Sequence, residues 1–231
     1  MKISKYINII GTIHCVTGLR IGGTKEGIVE PGSIENIIIR DPLTSMPYIP
    51  GSSLKGKMRS LLELDKDSGA VISDSEPCGC CKCLVCKVFG THAKPKDIKA
   101  KSLEREITRI IVRDCPITGT SKKDLEGLEE KGINGAEIKT ENIIDRKTGM
   151  AADRGLRSQE RVPAGINFDM EIVLKIFEGD DEAKITEFVK HGLGLVQKDY
   201  LGGSGSRGYG KVEIKYSIND ETALSGTAKS V

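Results

Sequence analysis

A chain of 231 residues, 38% hydrophobic and 29% charged, has enough apolar material for one core with added lobes. Its net charge of +2 excludes a globally basic nucleic-acid binder, so any basic surface must be a local concentration. With no Trp, five Tyr and four Phe, base stacking on aromatic platforms is excluded as the main recognition device.

No apolar run approaches the roughly 20 residues of a membrane span. The N-terminus "MKISKYINIIGTIHC" enters strand-like alternation directly instead of a signal-peptide pattern, which places the chain in the cytoplasm with no membrane partner. Residues 5–15 set Ile7, Ile9, Ile13 and Cys15 against Asn8, Thr12 and His14, the period of a half-buried strand. The glycine-rich segment "GLRIGGTKEGIVEPGSIEN" follows, then "IIIRD" and the turn "DPLTSMP" as a short extended stretch.

"IPGSSLKGKMRSLLELD" reads as a helix capped by Ser52 or Ser53, with Leu54, Met58, Leu61 and Leu62 as its apolar stripe and Lys55, Lys57 and Arg59 on other faces. Beyond the cysteine-rich stretch "EPCGCCKCLVCKVFG", "TRIIVRD" reads as a strand and "SKKDLEGLEEKG" as a charged loop or short exposed helix. Residues 137–163 combine extended runs with a "KTG" turn, predicting a protruding hairpin. "INFDMEIVLKIF" alternates Met170, Ile172, Leu174 and Ile176 as a strand, "DDEAKITEFVKHGLGLVQ" gives a helix with Ile185, Phe188, Val189 and Val196 inward, and "YGKVEIKYSI" closes as a strand. The order strand, helix, strand, then strand, helix, strand predicts an α+β fold: a ferredoxin-like unit whose antiparallel strands share one helical layer, with a frayed tail at 221–231.

Four features carry chemistry. Cys80, Cys83 and Cys86 run as C-x2-C-x2-C, and Cys78 or Cys81 completes four soft thiolates, a set that suits tetrahedral zinc. Four cysteines leave no open position, so such a zinc is structural; with three, His92 or a water takes the fourth place. The favoured ligands are Cys78, Cys80, Cys83 and Cys86, and the bland alternative is uncommitted thiols. "GSSLKGKM" matches G-x4-G-K, the first part of a phosphate-binding loop, but Met58 stands where a hydroxyl should hold magnesium, so nucleotide binding is not expected. The same helix start still offers N–H groups, Ser52, Ser53 and nearby lysines to a polyanion, against the plainer reading of a solubilising lysine face. "YLGGSGSRGYGKV" is a glycine loop able to bring backbone N–H groups against a sugar-phosphate chain, although such loops are often only turns. Glu35, on the glycine-rich segment, is a carboxylate that could serve as metal ligand or base in phosphodiester cleavage, although by itself it does not stand out among the 33 acids and most exposed glutamates do no more than solvate the surface.

Together, "TGLRIGG", "RDPLTSMPYIPGSSLKGKMRSLLE", the C-x2-C-x2-C followed by "VFG", "ENIIDRKTG…RVPAG" and "YLGGSGSRGYGKV" resemble one family across nearly the whole chain. They look like the repeated backbone subunit of the type III-A (Csm) CRISPR effector complex, a member of the RAMP superfamily. The resemblance implies a single RNA-recognition-motif-like domain over 1–220, with a zinc or lid region at 66–104 and a lid and thumb insertion at 115–163. It implies guide RNA, target RNA, further copies of the chain and other Csm subunits as partners, with the target cut once per subunit. On this reading Arg20, Ser52, Ser53, Lys55, Lys57, Arg59, Gly203, Gly205 and Arg207 hold guide-RNA phosphates, and the hairpin around Asn142 and Arg146 is the thumb. The protein then reads shape and phosphate, while base pairing reads sequence.

The family's cleavage uses a divalent metal such as magnesium and leaves a 2′,3′-cyclic phosphate, so the RNA's own 2′-OH is the nucleophile. Two departures stand out: Arg20 replaces a common His, and Glu35 aligns with the family's catalytic aspartate. Glutamate moves the carboxylate outward by one methylene, about 1.5 Å, and a shift near 1 Å at reacting atoms can cost about 100-fold. The competing expectation is a structural guide-coating subunit without nuclease activity.

Overall fold

The computed structural model describes residues 2–23, 37–72, 76–91, 107–129, 135–153 and 155–222. Glu35 and His92 lie outside the described residues.

One four-stranded sheet organises the chain. Strand β1 (Ile3–Cys15) pairs on one side with β7 (Asn167–Phe177) and on the other with β8 (Val212–Thr222), and β3 (Ile110–Val112) completes the order β3-β7-β1-β8. Every neighbouring pair is antiparallel. This is the ferredoxin-like order, with everything between β3 and β7 inserted where a simple fold has a hairpin. Alternation dictated the burial: Ile7, Ile9, Ile13 and Cys15 of β1 and Phe168, Met170, Ile172, Leu174 and Ile176 of β7 lie on one buried face.

Helices α1 (Gly51–Leu64) and α4 (Glu182–Lys198) cover that face. Leu54, Met58 and Leu62 of α1 and Ile185, Val189, Leu193 and Val196 of α4 are buried, whereas Leu61 and Phe188 are only half-buried. Each fully buried aliphatic side chain contributes about 1.5–3 kcal/mol of transfer free energy. The two helices meet at Gly192, where a Cβ would stand 2.9 Å from Leu62 Cδ1 and 3.3 Å from Met58 Cε. A helix-weakening glycine is kept there because close packing needs it.

The start of α1 differs from expectation. Neither serine caps it: the N-cap is Pro50, with no side-chain cap, and Gly51 N–H donates 2.7 Å to Oδ1 of Asp114, which follows β3. The charged segment resolves into a helix, α3 (Gly119–Glu129), and the last strand runs through Thr222, beyond the expected start of the tail. Short β2 (Tyr48–Ile49) pairs with β4 (Cys115–Pro116). Strands β5 (Glu137–Glu141) and β6 (Arg157–Arg161) form the antiparallel base of the predicted hairpin. Short α2 (Leu84–Phe89) carries the last cysteine of the cluster.

Candidate metal centre and nucleic-acid interface

The cysteine cluster is built on a loop and a single helical turn. Sγ atoms of Cys78, Cys80, Cys83 and Cys86 all lie within 4.8 Å of one another. A zinc tetrahedron with Zn–S bonds of about 2.3 Å has sulfur–sulfur edges of about 3.8 Å. The Cys78–Cys83 and Cys80–Cys86 pairs stand at 3.8 and 4.0 Å. Cys81 turns away at φ +58, its thiol directed to Gly79 O at 3.6 Å. The donor set, the spacing and the closed geometry therefore fit a metal such as zinc.

Backbone amides support the sulfurs: Lys82 and Cys83 N–H donate to Cys80 Sγ at 3.5 and 3.4 Å, Cys86 N–H to Cys83 Sγ at 3.4 Å, and Val71 N–H to Cys78 Sγ at 3.2 Å. Burial pushes the Cys83 thiol up to about 11 and raises Cys86 as well. Burial also opposes ionisation of Cys80, but the Lys82 and Cys83 amides bring it down to about 7. Four thiolates cannot coexist here without a cation. Zinc bound by four thiolates still leaves two units of negative charge. Lys82, Lys87 and Lys184 line a cavity of about 290 Å³ beside Cys83, together with Asp181.

Arg59, expected on RNA, is occupied at this centre. Its Nε donates to Glu63 Oε1 at 2.9 Å and its Nη2 to Cys78 O at 3.0 Å, while the same Glu63 oxygen accepts Cys78 N–H at 2.9 Å. Helix α1 thus grips the cysteine loop. A second buried ion cluster ties α2 to the β7–α4 turn: Asp180 receives Arg109 Nε at 3.2 Å and Lys87 Nζ at 2.8 Å. Those charges hold Asp180 below the usual carboxylate range, although burial works against it.

The remaining sequence-nominated cations do not form one patch. Lys55 and Lys57 are two residues apart, about 200° around a helix, so they leave α1 on opposite flanks. Lys55 stays on the Arg59 flank, its amine made less basic by burial and by Arg59 and Lys175. Lys57 reaches the end of α4, 2.7 Å from Asp199 Oδ2 and 3.7 Å from the centre of the Tyr200 ring. Ser52 is exposed and Ser53 half-buried at the helix start, beside the Asp114 carboxylate that already holds Gly51 N–H.

The glycine loop is packed, not open. Gly203 N–H donates to Arg20 O at 2.8 Å, and the Arg20 guanidinium lies against Gly203. A Cβ at Gly202 would collide with Arg20 O, and one at Gly205 with the Tyr200 ring, so glycine is required at both. Ser204 and Gly208, at φ +64 and +85, bracket the 3-10 turn Gly205–Arg207. Arg207 Nε stands 3.2 Å from Glu141 Oε2 at the end of β5. Next to it the buried Tyr209 ring receives Lys139 Nζ at 4.4 Å from β5 and Arg161 Cζ at 5.0 Å from β6. Arg20, Lys57, Gly203, Gly205 and Arg207 therefore share one rim with the hairpin base, and Asn142 and Arg146 lie exposed farther along the hairpin.

The flanks of the segment carrying Glu35 belong to this neighbourhood. Gly23 N–H donates to Ile37 O at 3.1 Å and Ile39 N–H to Ile21 O at 2.9 Å, so the chain departs and returns side by side next to Arg20. Glu160 of β6, buried, accepts Ile38 N–H at 3.1 Å and faces Arg40 at 3.5 Å. Sequence reasoning missed Asp114, Glu141, Glu160, Tyr200 and Tyr209. The two tyrosines flank the glycine loop in "DYLGGSGSRGYG" and were available as a signal; the acids pair with residues distant in sequence and were not.

The sheet face opposite the helices carries Asp169, Glu171 and Glu213, all exposed, beside Asn8, Thr12 and Lys215. Tyr6 is the aromatic of β1 on that face, and its acids alternate with Lys175, Lys215 and Arg113, so charge on it is mixed.

The RAMP superfamily model matches residues 12–213. The CRISPR system Cms endoribonuclease Csm3 of Methanothermobacter thermautotrophicus is 46% identical over 220 residues, covering 93% of this chain and 86% of that protein. Its namesake in Streptococcus thermophilus is 36% identical over 214 residues, covering 90% and 87%. Among solved structures, a Csm3–Csm4 subcomplex of the type III-A CRISPR-Cas interference complex superposes with a TM-score of 0.58 at 28% identity, covering 96% of this chain and 83% of that one. Methanopyrus kandleri Csm3 superposes at 0.59 with 23% identity, covering 96% and 79%, a likeness of fold. No helix among the described residues is long and apolar enough to cross a membrane. With the sheet order, the cysteine cluster and the glycine-loop rim on one chain, these matches place it in the RAMP superfamily, within the Csm3 family of type III-A CRISPR backbone subunits.

Proposed function

We propose that the chain coats guide RNA as a repeated backbone subunit of a type III-A CRISPR interference complex and cleaves guide-matched target RNA at regular intervals. The observation that carries this reading is the convergence of Arg20, Lys57, Gly203, Gly205 and Arg207 at the base of the β5–β6 hairpin. Phosphates of the guide lie along that rim. Arg207, half exposed, gives up Glu141 for phosphate at little cost, because exposed pairs are weak in water. Residues 66–104 form a zinc-bearing lid and 115–163 the lid and thumb insertion; Asn142 and Arg146 present the thumb to the guide–target duplex. Partners are guide RNA, target RNA, further copies of the chain and other Csm subunits, in the cytoplasm.

Cleavage is intramolecular attack by the target's 2′-OH on its neighbouring phosphate: the 2′-O–P bond closes a 2′,3′-cyclic phosphate, the bond from phosphorus to the 5′-oxygen of the next nucleotide breaks, and that oxygen leaves with a proton. The protein's task is to hold the in-line arrangement and favour the charge that develops. Glu35 is the residue assigned to this step, as metal ligand or base. A divalent ion such as magnesium, implied by the family, neutralises phosphate charge when bound. What supports the assignment is that the described flanks of its segment, Gly23 and Ile37–Ile39, run side by side next to Arg20. The test is cleavage of guide-matched RNA by complexes assembled with Glu35→Ala or Glu35→Asp subunits. Loss with alanine and retention or gain with aspartate is expected; unchanged cleavage by the alanine form reduces the chain to a coating subunit whose cutting is done elsewhere.

A further inference from the structure

Two carboxylates on one face of β5 meet arginines in different ways. Glu137 takes Arg161 as a fork, with Nε donating to Oε2 at 2.8 Å and Nη2 to Oε1 at 2.6 Å, so the facing donors and acceptors are spent on one another. Glu141, four residues on, meets Arg207 through Nε alone, 3.2 Å from Oε2. Arg207 Nη2 turns instead to Ser204 Oγ at 2.5 Å. Among the described residues, both Nη1 protons and one on Nη2 therefore have no acceptor.

The Glu141 carboxylate is held from inside the molecule. Lys139 Nζ stands 3.5 Å from Oε1, and the same ammonium lies on the face of the Tyr209 ring. Tyr209 Oη is buried and makes no well-formed hydrogen bond among the described residues; burial first and Glu141 second push its phenol up, so it keeps its proton. Burial works against the charge of Glu141, while Tyr209, Arg207 and Lys139 hold it below the usual carboxylate range. At neutral pH Glu141 is an acceptor only. Its side chain is 18% exposed, so one edge of a fixed carboxylate opens to solvent beside unspent guanidinium donors.

That pairing matches a ribonucleotide better than a phosphate alone. A phosphate satisfies Arg207 but is repelled by Glu141. A sugar hydroxyl does the reverse, because it can donate to the carboxylate. RNA carries both groups on neighbouring carbons, the 2′-OH beside the 3′-phosphate, whereas DNA carries only the phosphate.

We infer that Glu141 distinguishes RNA from DNA on the guide path: its carboxylate accepts the 2′-OH of the nucleotide whose 3′-phosphate Arg207 binds. This deepens the backbone-subunit reading and rests on it. A deoxynucleotide in the same place brings the phosphate without the donor and leaves the carboxylate facing a second anion. A site built to bond a hydroxyl rejects the analogue that lacks it, since its own polar group is then left unpaired.

The experiment measures the full-length chain binding a labelled guide fragment that accommodates a single copy, made as RNA and as 2′-fluoro RNA. Fluorine keeps the sugar pucker of RNA but donates no proton, which separates hydroxyl donation from A-form shape. Wild type is expected to bind RNA about tenfold more tightly, the usual worth of a hydrogen bond to a charged group. In Glu141→Ala the ratio should fall to within about twofold of one, because no acceptor remains. Glu141→Gln keeps an acceptor oxygen on a side chain of the same size and should give an intermediate ratio, which ties the effect to the acceptor and not to the fold. Walking a single 2′-fluoro nucleotide along the fragment should find a sensitive position in wild type that is insensitive in Glu141→Ala. Wild type that binds both fragments equally overturns the inference, as does a wild-type ratio retained in Glu141→Ala. Failure of wild type to bind any guide RNA overturns the backbone-subunit reading instead.

Discussion

Two charged regions of the molecule use the same residue types under opposite conditions. Around the cysteine cluster, Arg109 and Asp180 are only 3% and 4% exposed, and Arg59 and Glu63 are packed beneath Cys78. Around the glycine loop, Arg207 is 50% exposed and its carboxylate partner sits at the hairpin edge. Buried partners cannot be exchanged, because either ion left alone carries its full desolvation cost. Exposed partners can be exchanged for a phosphate, because water screens both arrangements alike. The first region is a staple and the second a replaceable contact, although both read as basic sequence beside acids.

The largest expected effect is loss of the metal that the four cysteines fit. Substituting Cys86 by Ser, or extracting metal with a chelator, is expected to lower the thermal midpoint more than any charge change, since metal-binding free energy here is folding free energy. Cys81→Ser should keep one metal per chain by elemental analysis. Protons compete for the same sulfurs: Cys83, pushed up to about 11, and Cys86, raised by burial, must lose protons to bind. Metal retention should therefore fall as pH falls, which a colourimetric zinc-release assay across pH reads directly.

Next comes the buried ion cluster. Asp180→Ala removes the carboxylate that Arg109 and Lys87 share inside the protein, and the expected loss is about 3–5 kcal/mol in urea unfolding. The sign with pH follows from the lowered carboxyl: its stabilisation is present above the unfolded pKa of about 3.9 and is lost as pH falls through the still lower folded value. The wild type should accordingly lose more stability on acidification than the variant. Equal acid sensitivity would mean that Asp180 is not the buried anion its surroundings describe.

How far the sequence reached follows the same division. Alternation revealed β1, β7 and β8, and helical period revealed α1 and α4, because one buried face dominates each element. Cysteine spacing nominated the set that the fold draws within 4.8 Å, since local spacing largely fixes a knuckle. Partners across the chain were not legible: Gly51 and Asp114 are separated by 63 positions, and only the fold brings them to 2.7 Å. Nor did adjacency reveal direction. Lys55, Lys57 and Arg59 read as one basic run, yet the helix sends Lys57 to Tyr200 and Arg59 to the cysteine loop. The glycine loop was legible as a loop, but its need for glycine at 202 and 205 comes from Arg20 and Tyr200 pressing on it.

Asp114 lies between the two regimes and separates them by experiment. Its carboxylate fills the start of α1, the place where a helix N-terminus would otherwise receive phosphate. Asp114→Ala is expected to cost about 1 kcal/mol, the usual worth of an N-terminal cap, with guide affinity unchanged. A rise in affinity would instead show that the vacated helix start accepts RNA.

The smallest effect on folding belongs to Arg207 at the rim. Arg207→Ala should change unfolding free energy by no more than about 0.5 kcal/mol, as exposed pairs do, whereas Lys57→Ala, at 19% exposure and with its ammonium on the Tyr200 ring, should cost more. Each should nevertheless weaken guide binding at every salt concentration and reduce the slope of log K against log salt by about 0.7 per lost phosphate contact on single-stranded RNA. Arg59→Ala makes the contrast: its guanidinium holds Glu63 and Cys78 O, so it should lower the thermal midpoint while leaving the salt slope intact. If Arg59→Ala changed the slope and Arg207→Ala changed only stability, staple and contact would have to be exchanged, and the guide path would run along the Lys55 flank of α1.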